Sequence, residues 1–278
     1  MNTNIISLKD VTYRYPHAPG ELPPAIDGID LEIGEGEFVG LVGGNGSGKS
    51  TLARLLNGLL VPSRGEVRVE GLTTGEHANL NGIRETVGMV FQNPESQIVA
   101  TSVEDDIAFG MENLGLPAPE IERRIDEMTR RFGLEKIRRS EPHWLSGGQK
   151  QRTVLAGVAA LRPKVLVLDE PTSMLDARSQ RQFRKLVDEL WRSGTTIIYI
   201  TQLMDEIAEA PRLIALESGS VAFDGVPGDF FSGVELLSKT GLEAPLAARL
   251  AAGVRDHGYT LPDGILTLTD LVESVCGR

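Results

Sequence analysis

The sequence has little cysteine, no long apolar run and no excess of positive charge. Cys276 is the single cysteine among the 278 residues, so an intrachain disulfide is impossible and a reducing compartment is compatible. No apolar run approaches the roughly 20 residues that span a bilayer. Met1 to Asp10 contains no basic stretch followed by an apolar core, and we therefore expect no signal peptide. Any work at a membrane is expected to proceed through a partner.

The net charge of −11 argues against a broad nucleic-acid-binding surface, which needs a basic face. It does not argue against nucleotide binding, because a phosphate loop creates its own local positive field. A hydrophobic content of 41% and a charged content of 24% are ordinary for a soluble globular protein. The length allows one large domain or two small ones.

A glycine-rich segment follows an apolar strand and opens a helix. It runs from Gly43 to Ser50 and fits the phosphate-loop spacing G-x-x-x-x-G-K-[ST]. Glycines let successive N–H groups point at phosphate oxygens, and the helix aims its positive N-terminus at the same anion. Lys49 would reach the β- and γ-phosphates, and the Ser50 hydroxyl would ligate Mg²⁺. The other nucleotide-binding candidates here are Asn45, Gly46, Ser47, Gly48 and Thr51. The alternative is a glycine-rich turn that happens to end in Lys-Ser.

Two carboxylates follow the apolar run Val165 to Leu168. Four apolar residues in a row indicate a strand covered on both faces, and ligands bind at the carboxyl ends of such strands. Asp169 is placed to hold Mg²⁺, and Glu170 could polarise a water that attacks the γ-phosphate. The alternative is a pair of acids that caps a strand end.

A second phosphate-binding pattern lies at 145–149, with the sequence Leu-Ser-Gly-Gly-Gln. Ser146 is a good helix N-cap, and Gly147 and Gly148 keep side chains away from the helix N-terminus. We expect Ser146 to Gln149 to meet an anion. One nucleotide does not need both phosphate-binding patterns. The presence of both in one chain is explained if two chains meet head to tail, so that each nucleotide contacts one pattern from each chain. The alternative is an N-capped helix after a flexible turn.

Strands and helices alternate along most of the chain, which predicts an α/β fold with a P-loop NTPase core and a mainly parallel sheet. An antiparallel β subdomain precedes it, and a helical lobe is inserted at about 93–163. A helix is predicted from about Met204. The core domain is expected to span 1–225, followed by a small helical C-terminal extension at 226–278 with helices at 244–254 and 268–275.

The stretch 123–139 of the helical lobe is locally basic within an acidic chain, because it contains six arginines: Arg123, Arg124, Arg130, Arg131, Arg138 and Arg139. They indicate either a solvated helix face or a docking surface.

The ordered set of phosphate loop, Gln92, 145–149, 166–170 and 173–176 resembles an ABC-type ATPase domain over about residues 4 to 225. Within that class, the stretches 90–99 and 104–110 resemble the ATPases of energy-coupling factor transporters. The segment 261–267 is similar to the C-terminal extension of that family, and 172–176 looks more like the first of its two paralogous ATPases. The resemblance implies an ATPase that drives uptake of a vitamin or a transition-metal ion in prokaryotes.

The resemblance also implies cofactors, partners and roles. ATP and Mg²⁺ would be the cofactors, and Gln92 would reach Mg²⁺ and the attacking water. Tyr15, or less favourably Tyr13, would stack on adenine, although either could be a core or edge-strand aromatic. Asp176 would lie beside a partner's phosphate loop, and Ser146 to Gln149 would cover the γ-phosphate bound by that partner.

The implied partners are a second ABC ATPase subunit (a paralogue or the same chain), an integral membrane coupling subunit and a substrate-binding membrane subunit, with no nucleic acid. The implied location is the cytoplasmic face of the cell membrane.

One residue departs from the family pattern. The family places a histidine that contacts the γ-phosphate after the strand 196–201, and this chain has Gln202. A glutamine amide donates a hydrogen bond but carries no charge. Gln202 is either natural, in a slow site beside a faster partner site, or an engineered change. No histidine stands there, the four being His17, His77, His143 and His257. Gly44 replaces a residue that is often bulkier, and we expect little effect.

A transport ATPase subunit is the favoured function. A nucleotide-gated dimerisation clamp with weak hydrolysis is the first alternative, motivated by Gln202. An ABC ATPase that acts on nucleic acid or the ribosome is the second, although the sequence shows no second fused domain, coiled-coil insert or basic arm.

Overall fold

The computed structural model describes residues 4–16 and 23–276. The sequence also predicts a Pro/Gly-rich loop after Pro16 that runs through Pro24. Most of it, residues 17–22 with His17, lies outside the described residues.

The described residues form ten strands, which are β1 (Asn4–Tyr13), β2 (Ile26–Gly34), β3 (Phe38–Val42), β4 (Arg64–Val69), β5 (Leu72–Thr73), β6 (Val87–Val90), β7 (Val165–Asp169), β8 (Thr196–Ile200), β9 (Arg212–Glu217) and β10 (Ser220–Gly225). A four-stranded sheet has the order β2-β1-β4-β5, and its strand pairs are antiparallel. A six-stranded sheet has the order β10-β9-β3-β8-β7-β6. Only β10 is antiparallel to its neighbour there. The mainly parallel sheet and the antiparallel subdomain are therefore confirmed.

The same residues form ten α-helices, which are α1 (Lys49–Leu56), α2 (Leu80–Thr86), α3 (Val103–Asn113), α4 (Ala118–Arg131), α5 (Gly147–Ala160), α6 (Ala177–Arg192), α7 (Pro227–Ser232), α8 (Val234–Thr240), α9 (Leu246–Asp256) and α10 (Leu268–Cys276). Helices α3, α4 and most of α5 interrupt the strand–helix alternation, as expected for an inserted helical lobe. Helix α4 begins at Ala118, so Pro119 lies in its first turn, where a missing N–H costs nothing.

The parallel strands are short and fully buried because both faces of their sheet are covered. Successive residues of β7 show this: Leu166 packs in a cluster with the helical lobe, and Val167 packs in a cluster with α1 and the antiparallel sheet. The carboxyl ends of β3, β6, β7 and β8 consequently meet at one edge of the sheet, where the loops that carry the candidate site residues begin.

One sequence expectation needs correction, and another, the helical C-terminal extension, is confirmed with added detail. The helix predicted from about Met204 is a single 3₁₀ turn, Met204–Glu206. Met204 and Ile207 pack in the larger core, but the Glu206 carboxylate is held by hydroxyls of Thr172 and Thr201 rather than facing solvent. The C-terminal extension contains α7 and α8 in addition to the two predicted helices. Both helices are too short to show a helical period in the sequence. Phe230 and Phe231 of α7 are adjacent, and both pack in the larger core.

Most of the arginines in the helical lobe are neutralised within the lobe. Arg138 contacts the carboxylates of Glu104, Glu122 and Asp126. Arg123 and Arg124 both bond to Glu120, and these hydrogen bonds lower the pKa of that carboxyl to about 2. The contacts favour the interpretation of these arginines as a solvated, ion-paired helix face.

Candidate functional site

The phosphate loop requires glycine at two positions. Gly43 has φ 151° and Gly48 has φ 105°. A Cβ on Gly43 would lie 2.4 Å from the carbonyl oxygen of Leu216, and one on Gly48 would lie 2.5 Å from the carbonyl oxygen of Ala25. Any side chain at either position would therefore force the loop away from the sheet.

Helix α1 begins directly after Gly48, which supplies no side-chain cap. Its first-turn N–H groups have no intrahelical acceptor, so they favour an anion at this helix start. The Ser47 hydroxyl is buried without a hydrogen-bond partner among the described residues. The free helix start fits a bound phosphate group.

Lys49 lies inside this loop. Its Nζ donates to the carbonyl oxygens of Gly43, at 2.8 Å, and Gly44, at 3.0 Å. Burial lowers the pKa of Lys49, and the carboxylates of Glu170 and Asp169 oppose that shift. The loop carbonyls thus hold the ammonium group in place. A bound phosphate would replace part of the hydration that this group loses on burial.

Asp169 ends strand β7 and accepts a hydrogen bond of 3.1 Å from the Ser50 hydroxyl. Burial raises the pKa of Asp169, and the bond from Ser50 partly offsets this. The described residues contain no cluster of three or more His, Cys, Asp or Glu that would enclose a metal ion. A carboxylate, a hydroxyl and the Gln92 amide oxygen nevertheless suit Mg²⁺, which is commonly held by one or two carboxylates together with substrate phosphates.

Glu170 lies between two amide groups. Gln92 Nε2 donates to Glu170 Oε2 at 3.0 Å, and Gln202 Nε2 donates to Glu170 Oε1 at 2.7 Å. The Gln202 amide is also 2.8 Å from Asn45 Oδ1 in the phosphate loop. Glu170 has φ 48°, a left-handed conformation that costs a non-glycine residue of order 1–3 kcal/mol. Its carboxylate is therefore held by side chains from two loops, one of which also bonds to the phosphate loop.

These groups surround a cavity of about 550 Å³, whose lining includes Lys49, Ser50, Gln92, Glu170 and Gln202. Tyr15 lines the same cavity, and its hydroxyl is 3.0 Å from that of Thr51. Tyr13 is instead buried in the core beneath the antiparallel sheet, with its ring edge-on to Tyr15 at 5.0 Å. Of the two tyrosines, only Tyr15 is in a position to meet a base.

The second anion-binding pattern lies elsewhere. Ser146 caps α5 in a capping box with Gln149, and Asp176 caps α6 by accepting N–H groups of Arg178 and Ser179. The two helix starts are adjacent, since a Cβ on Gly148 would lie 2.6 Å from the Ser179 hydroxyl. Ser146 and Asp176 are exposed, and neither lines the cavity at Lys49. The structure thus brings these two together but not to the phosphate loop.

Comparison with known proteins identifies the family. Residues 26–173 match the profile of the ABC transporter family. The chain belongs to the ABC transporter family.

Full-length relatives place this ABC protein among the energy-coupling factor ATPases. A protein of Symbiobacterium thermophilum named energy-coupling factor transporter ATP-binding protein EcfA1 is 47% identical over 281 residues, covering 99% of this chain and 98% of the relative. A Clostridium novyi protein of the same name is 44% identical over 277 residues, covering 99% of both. As a family member, the chain is an ABC ATPase, an enzyme that couples ATP hydrolysis to transport.

Solved structures agree on the ABC fold. Clostridium perfringens cbiO1, described as part of the ABC transporter complex cbiONQ, has a TM-score of 0.77 and 33% identity, covering 91% of this chain and 99% of that one. A dimeric ATP-binding cassette in a post-hydrolysis state, bound to ADP and Pi, has a TM-score of 0.73 and 29% identity, covering 80% and 98%. None of the helices described in this ABC protein combines the length and apolarity needed to cross a bilayer.

The structure also reveals contacts that the sequence did not indicate. Lys150, directly after Gln149, forms an ion pair with Glu95 in the segment that follows Gln92. The carbonyl of Thr240 in the C-terminal extension lies 3.2 Å from where a Cβ on Gly44 would stand. Neither contact has a sequence signal, because each joins residues that are far apart in the ABC chain and ordinary in type.

Proposed function

We propose that this chain is the ATP-binding subunit of an energy-coupling factor importer and that it works as a head-to-tail dimer. Each of two ATP molecules would bind to Lys49 and the start of α1 in one subunit, and would be covered by Ser146 to Gln149 of the other. The observation that carries this proposal is that one chain presents two anion-binding helix starts that do not face the same cavity. In a head-to-tail dimer, each of these helix starts would face the other kind of helix start in the second subunit.

The γ-phosphate is the group that would favour closure, because it alone would contact both subunits. ATP then binds the closed state better than ADP does, which is the differential contact that a conformational switch requires. Asp176 lies beside Ser146 and would face the partner's phosphate loop.

Ser50, Asp169 and Gln92 would hold Mg²⁺, whose charge stabilises the transferring phosphoryl group when it is bound. Glu170 would orient the attacking water and accept its proton, since it lines the cavity together with Lys49 and Ser50. Tyr15 would stack on the adenine. Gln202 would donate a hydrogen bond where the family supplies a histidine, but without a positive charge.

A direct set of contacts connects this cavity with the helical lobe. Gln92 bonds to Glu170 and is followed by the 3₁₀ turn Pro94–Ser96. Glu95 of that turn pairs with Lys150 at the start of α5. Loss of the γ-phosphate at Gln92 would therefore displace the helix that carries the second anion-binding pattern.

The surface beside this segment is suited to a membrane partner. Val99 is 61% exposed and Phe109 is 48% exposed, although both are apolar. They border a groove between α3 and α5 that is lined also by Gln97, Asp106 and Val154. We place the integral coupling subunit here rather than on the ion-paired arginines, with a separate membrane subunit binding the vitamin or metal ion. The chain would thus be held at the cytoplasmic face of the membrane.

Two measurements test the proposal. Light scattering of the purified chain should show a dimer with ATP and Mg²⁺ and a monomer with ADP, while phosphate release measures turnover. A dimer with negligible phosphate release would support the clamp alternative. Affinity purification of the native complex from detergent-solubilised membranes should recover integral membrane subunits. Recovery of ribosomes or nucleic acid in their place would contradict the transport function.

A further inference from the structure

Glu206 is a buried carboxylate to which none of the roles above assigns a task. It ends the 3₁₀ turn Met204–Glu206 and is 6% exposed. Three hydroxyl groups bond to it. Thr172 donates to Oε1 at 2.6 Å, while Thr201 and Tyr199 donate to Oε2 at 2.8 Å and 3.3 Å.

Two of these hydroxyls belong to the loops that carry reacting groups. Thr172 lies two residues after Glu170, and Thr201 lies directly before Gln202. On the other side of the same loops, Gln202 Nε2 bonds to Glu170 Oε1 at 2.7 Å. The contacts therefore form a closed ring that runs from Glu170 through Thr172, Glu206, Thr201 and Gln202 back to Glu170.

Tyr199 differs from the two threonines in one respect. Its hydroxyl bonds to the same carboxylate and is 3.5 Å from the Thr172 hydroxyl, but the residue is on strand β8, whose backbone is fixed by pairing with β3 and β7. Its phenol ring is part of the larger core, and burial together with the charge of Glu206 raises the pKa of its hydroxyl. Tyr199 serves as an internal control, because losing its hydroxyl leaves both threonines bonded to Glu206, at 2.6 Å and 2.8 Å.

We infer that Glu206 is a positioning residue for ATP hydrolysis, which holds the loops of Glu170 and Gln202 in register through Thr172 and Thr201. This rests on the proposed function, in which Glu170 orients the attacking water. A reacting group must be held within about 0.5 Å of its productive position by a supporting shell. Glu170 has the unfavourable φ of 48°, so its own backbone does not favour that position. A buried carboxylate is a poor source of stability by itself, whereas one that joins two loops fixes their geometry.

The test compares variants by kcat, by KM for ATP in the presence of Mg²⁺ and by thermal unfolding. Thr201→Val removes the hydroxyl at nearly constant volume, and we expect kcat to fall about tenfold, the lower end of the range for supporting-shell residues. KM should stay within about threefold, since the phosphate loop is untouched. Thr172→Val should act in the same direction from the other loop. Thr201→Ser restores the hydroxyl and should bring kcat back to within about twofold of the starting protein.

Tyr199→Phe separates positioning from stability. It should lower the unfolding temperature at least as much as Thr201→Val while leaving kcat within about twofold. The inference is overturned if Thr201→Val retains full kcat, if Thr201→Ser is as slow as Thr201→Val, or if Tyr199→Phe lowers kcat equally. Absence of hydrolysis in the unmodified chain would instead overturn the proposed function, and the inference with it.

Discussion

The two helix starts proposed to bind anions, at Lys49 and at Ser146, differ in how complete their surroundings are. Around Lys49, the chain brings together a helix start, a buried ammonium group, two carboxylates and two amides from loops after four strands. Around Ser146, it presents a capped helix start, the adjacent Asp176 and open solvent. In the proposed function, the first region binds ATP within one subunit, while the second acts only when another subunit faces it. Substitutions that change ATP binding or dimerisation separately therefore test this comparison.

The largest effect is expected from Lys49→Ala. The substitution removes the ammonium group that the loop carbonyls hold beside the helix start, and we expect ATP binding to be abolished, a loss of about a hundredfold or more for a charge-assisted contact. Titration with a fluorescent ATP analogue measures this. Lys164→Ala, which removes a surface lysine paired with Glu70, is the control. Unchanged nucleotide affinity in Lys49→Ala would refute the phosphate-loop assignment.

Glu170→Gln should abolish turnover while preserving binding. General base catalysis contributes about 10²–10⁴-fold, and an amide cannot accept the proton, so the ATP-bound dimer should accumulate. Phosphate release and light scattering report the two effects. Glu209→Gln changes an exposed acid outside the site and should behave as the unmodified chain. Normal hydrolysis in Glu170→Gln would remove Glu170 from the mechanism.

Ser146→Asp tests the second region alone. Aspartate caps helices as well as serine does, so the unfolding temperature and the ATP affinity of the single subunit should stay unchanged. A negative charge opposite the partner's γ-phosphate should weaken dimerisation and lower hydrolysis by about tenfold or more. Ser146→Asn keeps the cap without the charge and should be much milder. If dimerisation survives in Ser146→Asp, the head-to-tail arrangement is wrong.

A smaller effect is expected from Gln202→His, which restores the family residue. If the missing charge limits turnover, kcat should rise several-fold. The rise should be greatest below the usual imidazole pKa of about 6.5, where the side chain is charged, and should fade as the pH increases. A pH series of kcat for both proteins provides the measurement. A flat, unchanged profile would show that Gln202 does not limit the reaction.

The smallest effect is expected from Gly44→Ala. The new methyl group would lie 3.2 Å from the Thr240 carbonyl oxygen, so the C-terminal extension must shift by a few tenths of an ångström. We expect ATP affinity to change less than about threefold, since Gly44 contributes only its backbone to the loop. Isothermal titration with ATP decides this, and a large loss would mean that α8 is rigidly coupled to the phosphate loop.

Features that depend on neighbours in the sequence were predicted well. The glycines of the phosphate loop, the helix start at Lys49 and the strand before Asp169 follow from local backbone freedom, capping and apolar runs, and the structure has each of them. The prediction near Met204 was wrong, because an amphipathic pattern of a few residues cannot report that Glu206 bonds to hydroxyls in another loop. The C-terminal extension was predicted as helical, although short α7 and α8 were not predicted individually.

The sequence by itself determined the two anion-binding helix starts, since a glycine turn and an N-cap are set by residues within one or two turns. Only the tertiary structure decided which side chains meet there. The order β3-β8-β7-β6 places Asn45, Gln202, Glu170 and Gln92 on adjacent loops. The fold also brings Tyr15 rather than Tyr13 to the cavity. It encloses Glu206 between Thr172 and Thr201. These pairings join residues up to 157 positions apart, and their partners are chosen by the packing of the sheet rather than by local propensity.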